Sequence, residues 1–392
     1  MELTAFQQLL SPTGQEILHA AIALSPKESD FLFHFQSLSR RFPPVLARAA
    51  LEIAILRREA SAKFPFADKL YLTRQALEQA SSHDISSYRA QRFQPFPYLA
   101  DLGCSIGGDT FALAKIAPTI SLDRHLLRLS MALANLHALN LSAQVQLIQS
   151  DLSIPLPIKS ESIAMFFDPA RRSSQQRLFS VAQYQPPLSI IKNWLPDHPA
   201  LGVKISPGVN LSEIVDYEAE VEFISLHGEL KEAVLWFGPL KTAYRRATVI
   251  PGPYQLVADV PDRSPAISAH VAEPKSFLYE PDPAVIRAGL VTTLAELLNA
   301  SQLDPEIAYL TSDTLSSTPF ARAWRIEDWF PFQLKRLRAY LRQHRIGHVT
   351  VKKRGSPLEP DFLIHQLRLK GDQECILVLT HLRGEPIVMI CK

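Results

Sequence analysis

Cysteine is scarce in this chain of 392 residues, which contains only Cys104, Cys375 and Cys391. No C-x-x-C pair occurs and the number is odd, so the chain lacks the disulfide framework on which small secreted domains depend. Glu2 stands where a secretory signal would carry basic residues. These absences favour a reducing compartment, and we expect a cytoplasmic protein.

Long apolar runs and an excess of one charge are also absent. No apolar segment reaches the roughly 18 residues that a membrane-spanning helix needs, so we expect no association with a membrane. The 41 basic and 39 acidic residues leave a formal charge of +2, which excludes a molecule-wide attraction to nucleic acid. Any affinity for a polyanion must therefore come from a local patch.

The signatures of several enzyme classes are missing as well. The twelve histidines show no metal-ligand spacing, and neither a G-x-S-x-G elbow nor a G-x-x-x-x-G-K-[ST] phosphate loop occurs. We therefore expect no metal ion and no chemistry of the hydrolase or P-loop type.

Hydrophobic periodicity indicates several domains. Residues 4–82 have a helical pattern, and Leu46, Ala50, Ile53 and Ala54 fall on one face. After a proline-rich connector at 94–97, short apolar runs alternate with amphipathic segments, which predicts βαβ units and a doubly wound, Rossmann-like α/β sheet. We predict a helical domain at 1–94, an α/β domain at 95–250, a proline-rich linker at 251–283 and an α+β domain at 284–392.

The same patterns predict individual elements. Strands are expected at 98–102, 119–123, 144–149, 162–167 and 201–206. Apolar runs at 221–226 and 233–237 predict an antiparallel hairpin that closes one edge of the sheet. In the last domain we expect helices at 285–299 and 331–344, and an antiparallel sheet built from apolar segments at 348–353, 362–369, 374–380 and 386–391.

The most informative segment is 101–110, D-L-G-C-S-I-G-G-D-T, between a predicted strand and a predicted helix. Such a loop lies at the carboxyl end of the first strand, where doubly wound folds bind ligands. Gly103 permits a tight turn, and Gly107 and Gly108 let the backbone approach a ligand closely. Cys104 fits there as a small polarizable residue. The segment predicts a ligand site, and an ordinary glycine-rich turn is the alternative.

The spacing of these glycines argues against a dinucleotide, because G-x-G-x-x-G would need a glycine in the middle. Asp101 can instead balance a cationic ligand, such as the amino and sulfonium groups of S-adenosylmethionine. Asp123 ends the second strand, where it can accept both ribose hydroxyls. Asp151 follows the third strand, where it can receive the adenine amino group. Each acid alone could be a helix cap or a turn residue, but together they predict an S-adenosylmethionine site.

These segments, with D-P-A-R at 168–171, resemble class I S-adenosylmethionine-dependent methyltransferases over about residues 95–240. The loop, T-R-Q-A-L-E-Q-A at 73–80 and Ala134-Asn135 are similar to the RNA cap guanine-N2 methyltransferase (trimethylguanosine synthase) group. The end of the chain resembles the THUMP-like domains attached to bacterial methyltransferases, on F-L-Y-E-P-D, V-K-K-R-G-S-P and L-K-G-D. The resemblance implies an S-adenosylmethionine-dependent enzyme with an RNA substrate.

The resemblance also implies that Asp168, Pro169 and Arg171 are catalytic. In amino-methyltransferases an Asp or Asn, two prolines and an aromatic residue hold the acceptor amine, whereas this chain has Ala170 and Arg171 at the last two positions. Asp168 can still accept a hydrogen bond from an exocyclic amine. Arg171 can stack on a base or, with Arg172, bind phosphate. A solvated helix start is the alternative for the two arginines.

A local excess of basic residues occurs near the C-terminus, where eight lysines and arginines and no acid lie between residues 335 and 354. On the predicted helix, Phe330, Leu334, Leu337 and Leu341 form a buried stripe and leave a basic row on a neighbouring face. On the predicted strand that follows, Lys352 and Arg354 share one side. A polyanion would be attracted to the helix row and the strand row, although a solvated charged face is the alternative. The predicted RNA contacts are Lys335, Arg338, Arg342, Arg345, Lys352 and Arg354.

The leading hypothesis from the sequence is therefore an RNA base-nitrogen methyltransferase. A non-catalytic RNA-binding protein that keeps the fold is the rival, because the aromatic clamp for the acceptor is lost. A methyltransferase for small molecules or proteins is the third hypothesis. Residues 73–80 either cap the cofactor pocket or pack in the core.

Overall fold

The computed structural model describes residues 1–158, 162–170, 180–259 and 270–392. The chain forms two compact units. The first contains Met1–Glu220 and Glu232–Thr242, and the second contains Val221–Lys231 and Ala243–Lys392. The domain boundaries predicted at residues 94, 250 and 283 stay predictions.

The first unit begins with helices, as predicted. They are α1 (Leu3–Leu9), α2 (Pro12–Ala23), α3 (Phe31–Ser39), α4 (Pro44–Ala60), α5 (Arg74–Gln79) and α6 (His83–Ala90). Helix α2 starts with a proline, which has no N–H to leave unpaired, and the Ser11 hydroxyl accepts a hydrogen bond from Gly14 N at 3.2 Å. The stripe predicted on α4, from Leu46 to Ala54, is buried.

A parallel sheet follows in the same unit. Its strands are β1 (Tyr98–Leu102), β2 (Thr119–Asp123), β3 (Val145–Gln149), β4 (Ile163–Phe167) and β5 (Leu201–Ile205), and its helices are α7 (Thr110–Leu113), α8 (Leu126–Ala138) and α9 (Ile191–Trp194). The five strands predicted between residues 98 and 206 are confirmed to within one residue at each end. Strand β1 pairs with β2 on one side and β4 on the other, and β3 and β5 lie outside them.

This strand order places the change in winding direction beside β1, which is where doubly wound sheets bind ligands. The N-terminal helices pack against α7 and α8, because one hydrophobic cluster contains Leu51 of α4, Phe111 of α7 and Met131 and Leu136 of α8. The helices thus share a core with the elements that carry the ligand loop.

The predicted hairpin consists of β6 (Glu220–Leu226) and β7 (Glu229–Trp236). Its turn is shorter than predicted because His227 and Gly228 both have positive φ, at 54° and 79°, which is the backbone of a two-residue type I′ turn. Strand β7 pairs antiparallel with β5, so the sheet is mixed as expected. The hairpin does not end the sheet, because β6 pairs with β8 (Arg245–Ile250) and β8 with β9 (Tyr254–Ala258).

The rest of the second unit is an α+β structure. Its strands are β10 (Phe277–Pro281), β11 (Ser301–Asp304), β12 (Ile307–Ser312), β13 (Ala321–Pro331), β14 (Ile346–Lys353), β15 (Gln373–Leu382) and β16 (Glu385–Cys391), and its helices are α10 (Pro283–Ala288), α11 (Val291–Leu297), α12 (Leu334–Gln343) and α13 (Pro360–Leu367). The strand order is β11-β12-β10-β13-β16-β15-β14.

Three expectations for this region were wrong. The helix at 285–299 is two helices, because Gly289 ends α10 with φ +75°. The apolar segment 362–369 is helix α13, in which Leu363 and Leu367 are buried at a spacing of four residues. The sheet is not entirely antiparallel, because β14 and β15 pair in parallel. Strands β10, β11, β12 and β13 were not predicted, and β10 lies within the predicted linker 251–283.

Candidate active site

The loop after β1 is fastened to the neighbouring strand. Gly103 N and Cys104 N both donate to the Leu122 carbonyl of β2, at 2.8 and 2.9 Å. Gly103 has φ +89°, and a Cβ added there would lie 3.0 Å from the Asp168 carbonyl oxygen. The glycine therefore lets the loop approach the end of β4 closely. Burial raises the pKa of the Cys104 thiol well above its usual value, which makes this thiol a packing group and not a nucleophile.

Gly107 and Gly108 differ in how closely neighbouring side chains approach them. Gly107 has φ +95°, and a Cβ there would lie 2.7 Å from the Phe111 ring. At Gly108 a Cβ would make ordinary contact only, 3.6 Å from Ala80 Cβ. Packing within the protein therefore explains Gly107, whereas a Cβ at Gly108 would clash with none of the described residues.

Asp101 is a buried carboxyl with an unused oxygen. Its Oδ2 accepts a hydrogen bond from the Thr110 hydroxyl at 2.5 Å, while Oδ1 is buried with no hydrogen-bond partner among the described residues. Burial, together with the nearby Asp109 carboxyl, raises the pKa of Asp101 to about 8. A buried carboxylate without a cation is costly, so this position favours a positively charged ligand.

Asp123 organises the same loop from β2. Its Oδ2 accepts from Ser105 N at 3.0 Å and its Oδ1 accepts from His125 N at 2.8 Å. Each carboxylate oxygen can accept more than one hydrogen bond, so Asp123 retains capacity for ligand hydroxyls. Its role toward a ribose stays a prediction.

Asp151 lies close to this strand end but in a different environment. Ser150 N donates to the Asp123 carbonyl at 3.1 Å, so the chain after β3 reaches the end of β2 as predicted. Asp151 is exposed, and hydrogen bonds from the hydroxyl and backbone N–H of Ser153 lower its pKa. In this structure the Asp151 carboxylate stabilises the turn in which it lies. Its contact with an adenine stays a prediction.

Asp168 follows β4 and lies against the loop. Its N–H donates to the Leu102 carbonyl at 3.2 Å, and its Oδ2 forms an ion pair of 2.7 Å with Lys204 Nζ. Lys204 belongs to β5 and is only 2% exposed. Lys204 was not predicted from the sequence, although a lysine inside the apolar strand L-G-V-K-I is a signal that points to it.

The residues after Asp168 are partly described. Pro169 is buried, and Ala170 forms a β-bridge with Gln185, in which Gln185 N donates to the Ala170 carbonyl at 3.0 Å. Among the described residues, none donates to the Pro169 carbonyl. Arg171 and Arg172, which were predicted to contact a base or phosphate, lie outside the described residues.

A second group of buried ion pairs lies next to Asp168, and it was not predicted from the sequence either. Arg89 of α6 contacts Asp109 and forms a 2.6 Å ion pair with Glu232. Burial raises the pKa of Asp109 against the lowering effect of Arg89. With Asp101 and Asp168 the region contains four carboxyl groups and two basic side chains. This imbalance favours a ligand that brings positive charge.

The helical segment before β1 is fastened to the loop through Asn135 of α8. The Asn135 amide donates to the carbonyls of Tyr71 and Ile106 at 3.0 and 3.1 Å, and its oxygen accepts from Tyr71 N at 2.7 Å. Further along, the Gln79 carbonyl accepts from Lys204 Nζ at 3.3 Å, and the Ser81 hydroxyl donates to Glu232 at 2.8 Å. Residues 79–81 therefore line the Asp168 side of the site, while Ala76 and Leu77 are buried.

The six predicted RNA contacts, which lie in the second unit, fall into two groups. Lys335 and Arg342 are exposed on α12, and no partner of either side chain occurs in the described ranges. The other four are engaged: Arg338 donates to Gln366, Arg345 pairs with Asp372, and Lys352 and Arg354 both approach Glu280. The buried stripe of α12 is confirmed for Leu337 and Leu341.

Two absences hold for the described part of the chain. No group of three or more His, Cys, Asp or Glu side chains there could hold a metal ion. None of the helices that the structure describes has the length and apolar character needed to cross a membrane.

Comparison with known proteins defines the class. An uncharacterised S-adenosylmethionine-dependent methyltransferase of Mycobacterium tuberculosis strain CDC 1551 is 32% identical to this chain over 343 residues, which cover 85% of this chain and 92% of the relative. A protein of the same description from strain H37Rv matches equally. The chain therefore belongs to the S-adenosylmethionine-dependent methyltransferases. It is an enzyme, and its methyl donor is S-adenosylmethionine.

Further matches describe the ends of the chain and the fold. The THUMP domain-like family matches residues 321–392, and a domain of unknown function matches residues 2–60. The crystal structure of a methyltransferase candidate from Porphyromonas gingivalis W83 superposes with a TM-score of 0.77 at 22% identity, over 96% of this chain and 98% of the other. The predicted fold class is thereby confirmed, including the N-terminal helices and the C-terminal THUMP-like domain.

The residues present fit S-adenosylmethionine. The unpartnered Oδ1 of Asp101 suits its ammonium group, and the Asp123 carboxylate can accept hydrogen bonds from hydroxyls. The excess of carboxyl groups around Arg89 and Lys204 suits a cofactor with net positive charge. When bound, the cofactor supplies an electrophilic methyl group.

Proposed function

We propose that this enzyme methylates a base nitrogen in RNA. The observation that carries the proposal is the position of Asp168, whose carbonyl lies within 3.0 Å of a Cβ placed on Gly103 in the cofactor loop. An amine that hydrogen-bonds to the Asp168 carboxylate would thus lie beside the cofactor.

The chemistry that this position supports is transfer to a neutral amine. Asp168 Oδ2 is occupied by Lys204, so Oδ1 accepts an N–H of the acceptor and turns the nitrogen lone pair toward the methyl group. The Pro169 carbonyl is a second acceptor for the same amine. S-adenosylmethionine, which Asp101 and Asp123 would hold, would supply the methyl group as an electrophile. Asp168 would accept the one proton that the nitrogen loses and pass it to water.

Features of the second unit favour RNA as the substrate. Its residues 321–392 match the THUMP domain-like family, and Lys335 and Arg342 present unpaired charge on α12 within the described part of the chain. Exposed basic side chains on one helix face attract phosphates. We propose these two as the phosphate contacts, with Arg345 at the end of the same row.

Within this function, the resemblance to the RNA cap guanine-N2 methyltransferases favours an exocyclic amine as the acceptor. Ala170 lies where that group has a second proline, and its carbonyl is used by Gln185, which leaves Asp168 and Pro169 for the acceptor. Arg171 would replace the missing aromatic ring by stacking on the base. We further propose a cytoplasmic location, since all three cysteines are free and buried.

Substitution Asp168→Ala tests the proposal by separating binding from chemistry. We expect the variant to bind S-adenosylmethionine within about twofold of wild type and to lose about a hundredfold or more in methyl transfer, because its partner is the acceptor and not the cofactor. Calorimetry measures the first quantity, and transfer of labelled methyl groups to total RNA measures the second.

The matched control is Asp197→Ala, which removes an exposed carboxylate in the same unit and should change neither quantity. Near-normal transfer by Asp168→Ala would remove Asp168 from the reaction. Transfer to protein or small-molecule extracts in place of RNA would support the other two substrate classes.

A further inference from the structure

Lys204 is a buried lysine that the cofactor contacts proposed above do not include. It lies in the middle of β5, 2% exposed, between Val203 and Ile205, which are fully buried. Its Nζ contacts Asp168 Oδ2 at 2.7 Å and the Gln79 carbonyl at 3.3 Å. Removing an ammonium group from water costs several kcal/mol, and a buried ion pair often stabilises a fold no better than apolar residues of the same size. The structure thus offers no stability reason for a lysine here.

We propose that Lys204 is a positioning residue for methyl transfer, which fixes the Asp168 carboxylate so that only Oδ1 faces the acceptor. The proposal rests on the proposed function in one respect, namely that Asp168 contacts the acceptor. A carboxylate has two equivalent oxygens and turns freely about its terminal bond. The ion pair removes that freedom, because Oδ2 must stay with the ammonium group.

The Gln79 carbonyl fixes the lysine in turn. Lys204 has three N–H donors, and this carbonyl holds one of them, so the ammonium group is held between β4 and the segment that ends α5. The side-chain nitrogen of Gln79 is itself buried without a partner among the described residues. The N-terminal helical segment is therefore part of the acceptor side of the site, and Lys204 is the link through which it acts on Asp168.

A substrate-independent measurement can test this link. Sinefungin is an analogue of S-adenosylmethionine with an amine at the place of the methyl group, so it should be sensitive to Asp168, whereas S-adenosylhomocysteine has nothing there. The quantity to measure is the ratio of the two affinities, by calorimetry on the full chain. Four proteins form a double-mutant cycle: wild type, Lys204→Met, Asp168→Asn and the double variant, which removes both buried charges and so should fold even if Lys204→Met does not.

We expect Lys204→Met to change the affinity ratio by about threefold or more, and to change it by less than about 1.5-fold when Asp168 is already Asn. Lys204→Gln, which keeps a donor, should fall between wild type and Lys204→Met. The control is Lys192→Met, which makes the same chemical change at an exposed position of α9 in the same unit. This control should leave the ratio unchanged.

A ratio that Lys204→Met leaves unaltered, or alters equally in both backgrounds, overturns the positioning role. If Asp168→Asn leaves the ratio of the two affinities unchanged, Asp168 does not lie near the methyl group. That result would contradict the proposed acceptor site itself, and not only the role of Lys204. On the acceptor that wild type methylates, Lys204→Met should lower kcat by about tenfold with little change in KM for S-adenosylmethionine, as expected for an interaction that matters in the transition state.

Discussion

At the residue scale, the protonation state of the Asp101 carboxyl should differ between the ligand-free and the cofactor-bound enzyme. Burial raises its pKa to about 8, so the carboxyl is mostly neutral at pH 7 until a cation arrives. The neutral form contributes stability to the ligand-free protein that is fully present below the unfolded value of about 4 and is lost as the pH rises through about 8. A bound ammonium group would reverse the preference and favour the carboxylate.

The affinity for S-adenosylmethionine should therefore rise with pH. Between pH 6 and 7.5 we expect an increase approaching about tenfold per pH unit, with release of about one proton on binding at pH 7. Asp101→Asn cannot ionise and should show neither effect. Calorimetry in two buffers of different ionisation enthalpy measures the proton release, with Asp197→Asn as the control. Equal pH slopes in wild type and Asp101→Asn would show that Asp101 does not receive the ammonium group.

At the element scale, the strands of the first unit and the acids at their ends could be predicted, because short apolar runs between turn residues are a local signal. Asp101 and Asp123 are visible in this way. The roles of Lys204, Arg89 and Asn135 were not predicted, since they depend on partners that lie 20 to 143 residues away in the sequence. No local sequence pattern indicates which buried polar groups will contact each other in the folded protein.

The errors in the second unit have a similar origin. Segment 362–369 was interpreted as a strand because it is apolar, but Leu363 and Leu367 have the spacing of a helix face. Strand β13 was missed because charged residues such as Arg322 and Glu327 interrupt its apolar ones. The basic residues at 335–354 were counted from the sequence, whereas ion pairs such as that of Lys352 with Glu280 form only in the folded unit.

The connection between α8 and the segment before β1 gives a prediction about stability. Asn135 is fully buried, and its side chain makes three hydrogen bonds. Asn135→Ala leaves buried backbone groups of Tyr71 and Ile106 without partners, at about 1–3 kcal/mol for an unsatisfied group. We expect the free energy of unfolding in urea to fall by at least about 2 kcal/mol.

The control for this prediction is Asn193→Ala, which makes the same chemical change at an exposed position of α9. Its effect should remain within about 0.5 kcal/mol. Indistinguishable unfolding curves for Asn135→Ala and wild type would mean that Asn135 does not hold these segments together.

At the scale of the whole molecule, cofactor chemistry belongs to the first unit and the proposed RNA contacts belong to the second. Lys335→Gln with Arg342→Gln should weaken binding to all RNAs alike and reduce the slope of log affinity against log salt by about 0.7–0.9 per lost contact. S-adenosylmethionine binding should be unaffected. Titrations of RNA at several salt concentrations measure the slope.

Arg338 provides the contrast on the same helix. Because its guanidinium group donates to Gln366 O at 2.8 Å, Arg338→Gln should lower the thermal midpoint of unfolding more than Lys335→Gln does, and should change the salt slope less. A double variant of Lys335 and Arg342 with the wild-type slope would leave α12 as a solvated surface.

The central claim, methylation of a base nitrogen in RNA, is tested most directly by finding the methyl group. Wild type and Asp168→Ala are incubated with isotope-labelled S-adenosylmethionine and RNA from cells that lack the enzyme, and the RNA is digested to nucleosides for mass spectrometry. We predict a labelled nucleoside with the methyl group on the base, formed by wild type and absent with Asp168→Ala. Label on the ribose, or RNA that stays unlabelled while protein or small molecules are methylated, would contradict the account.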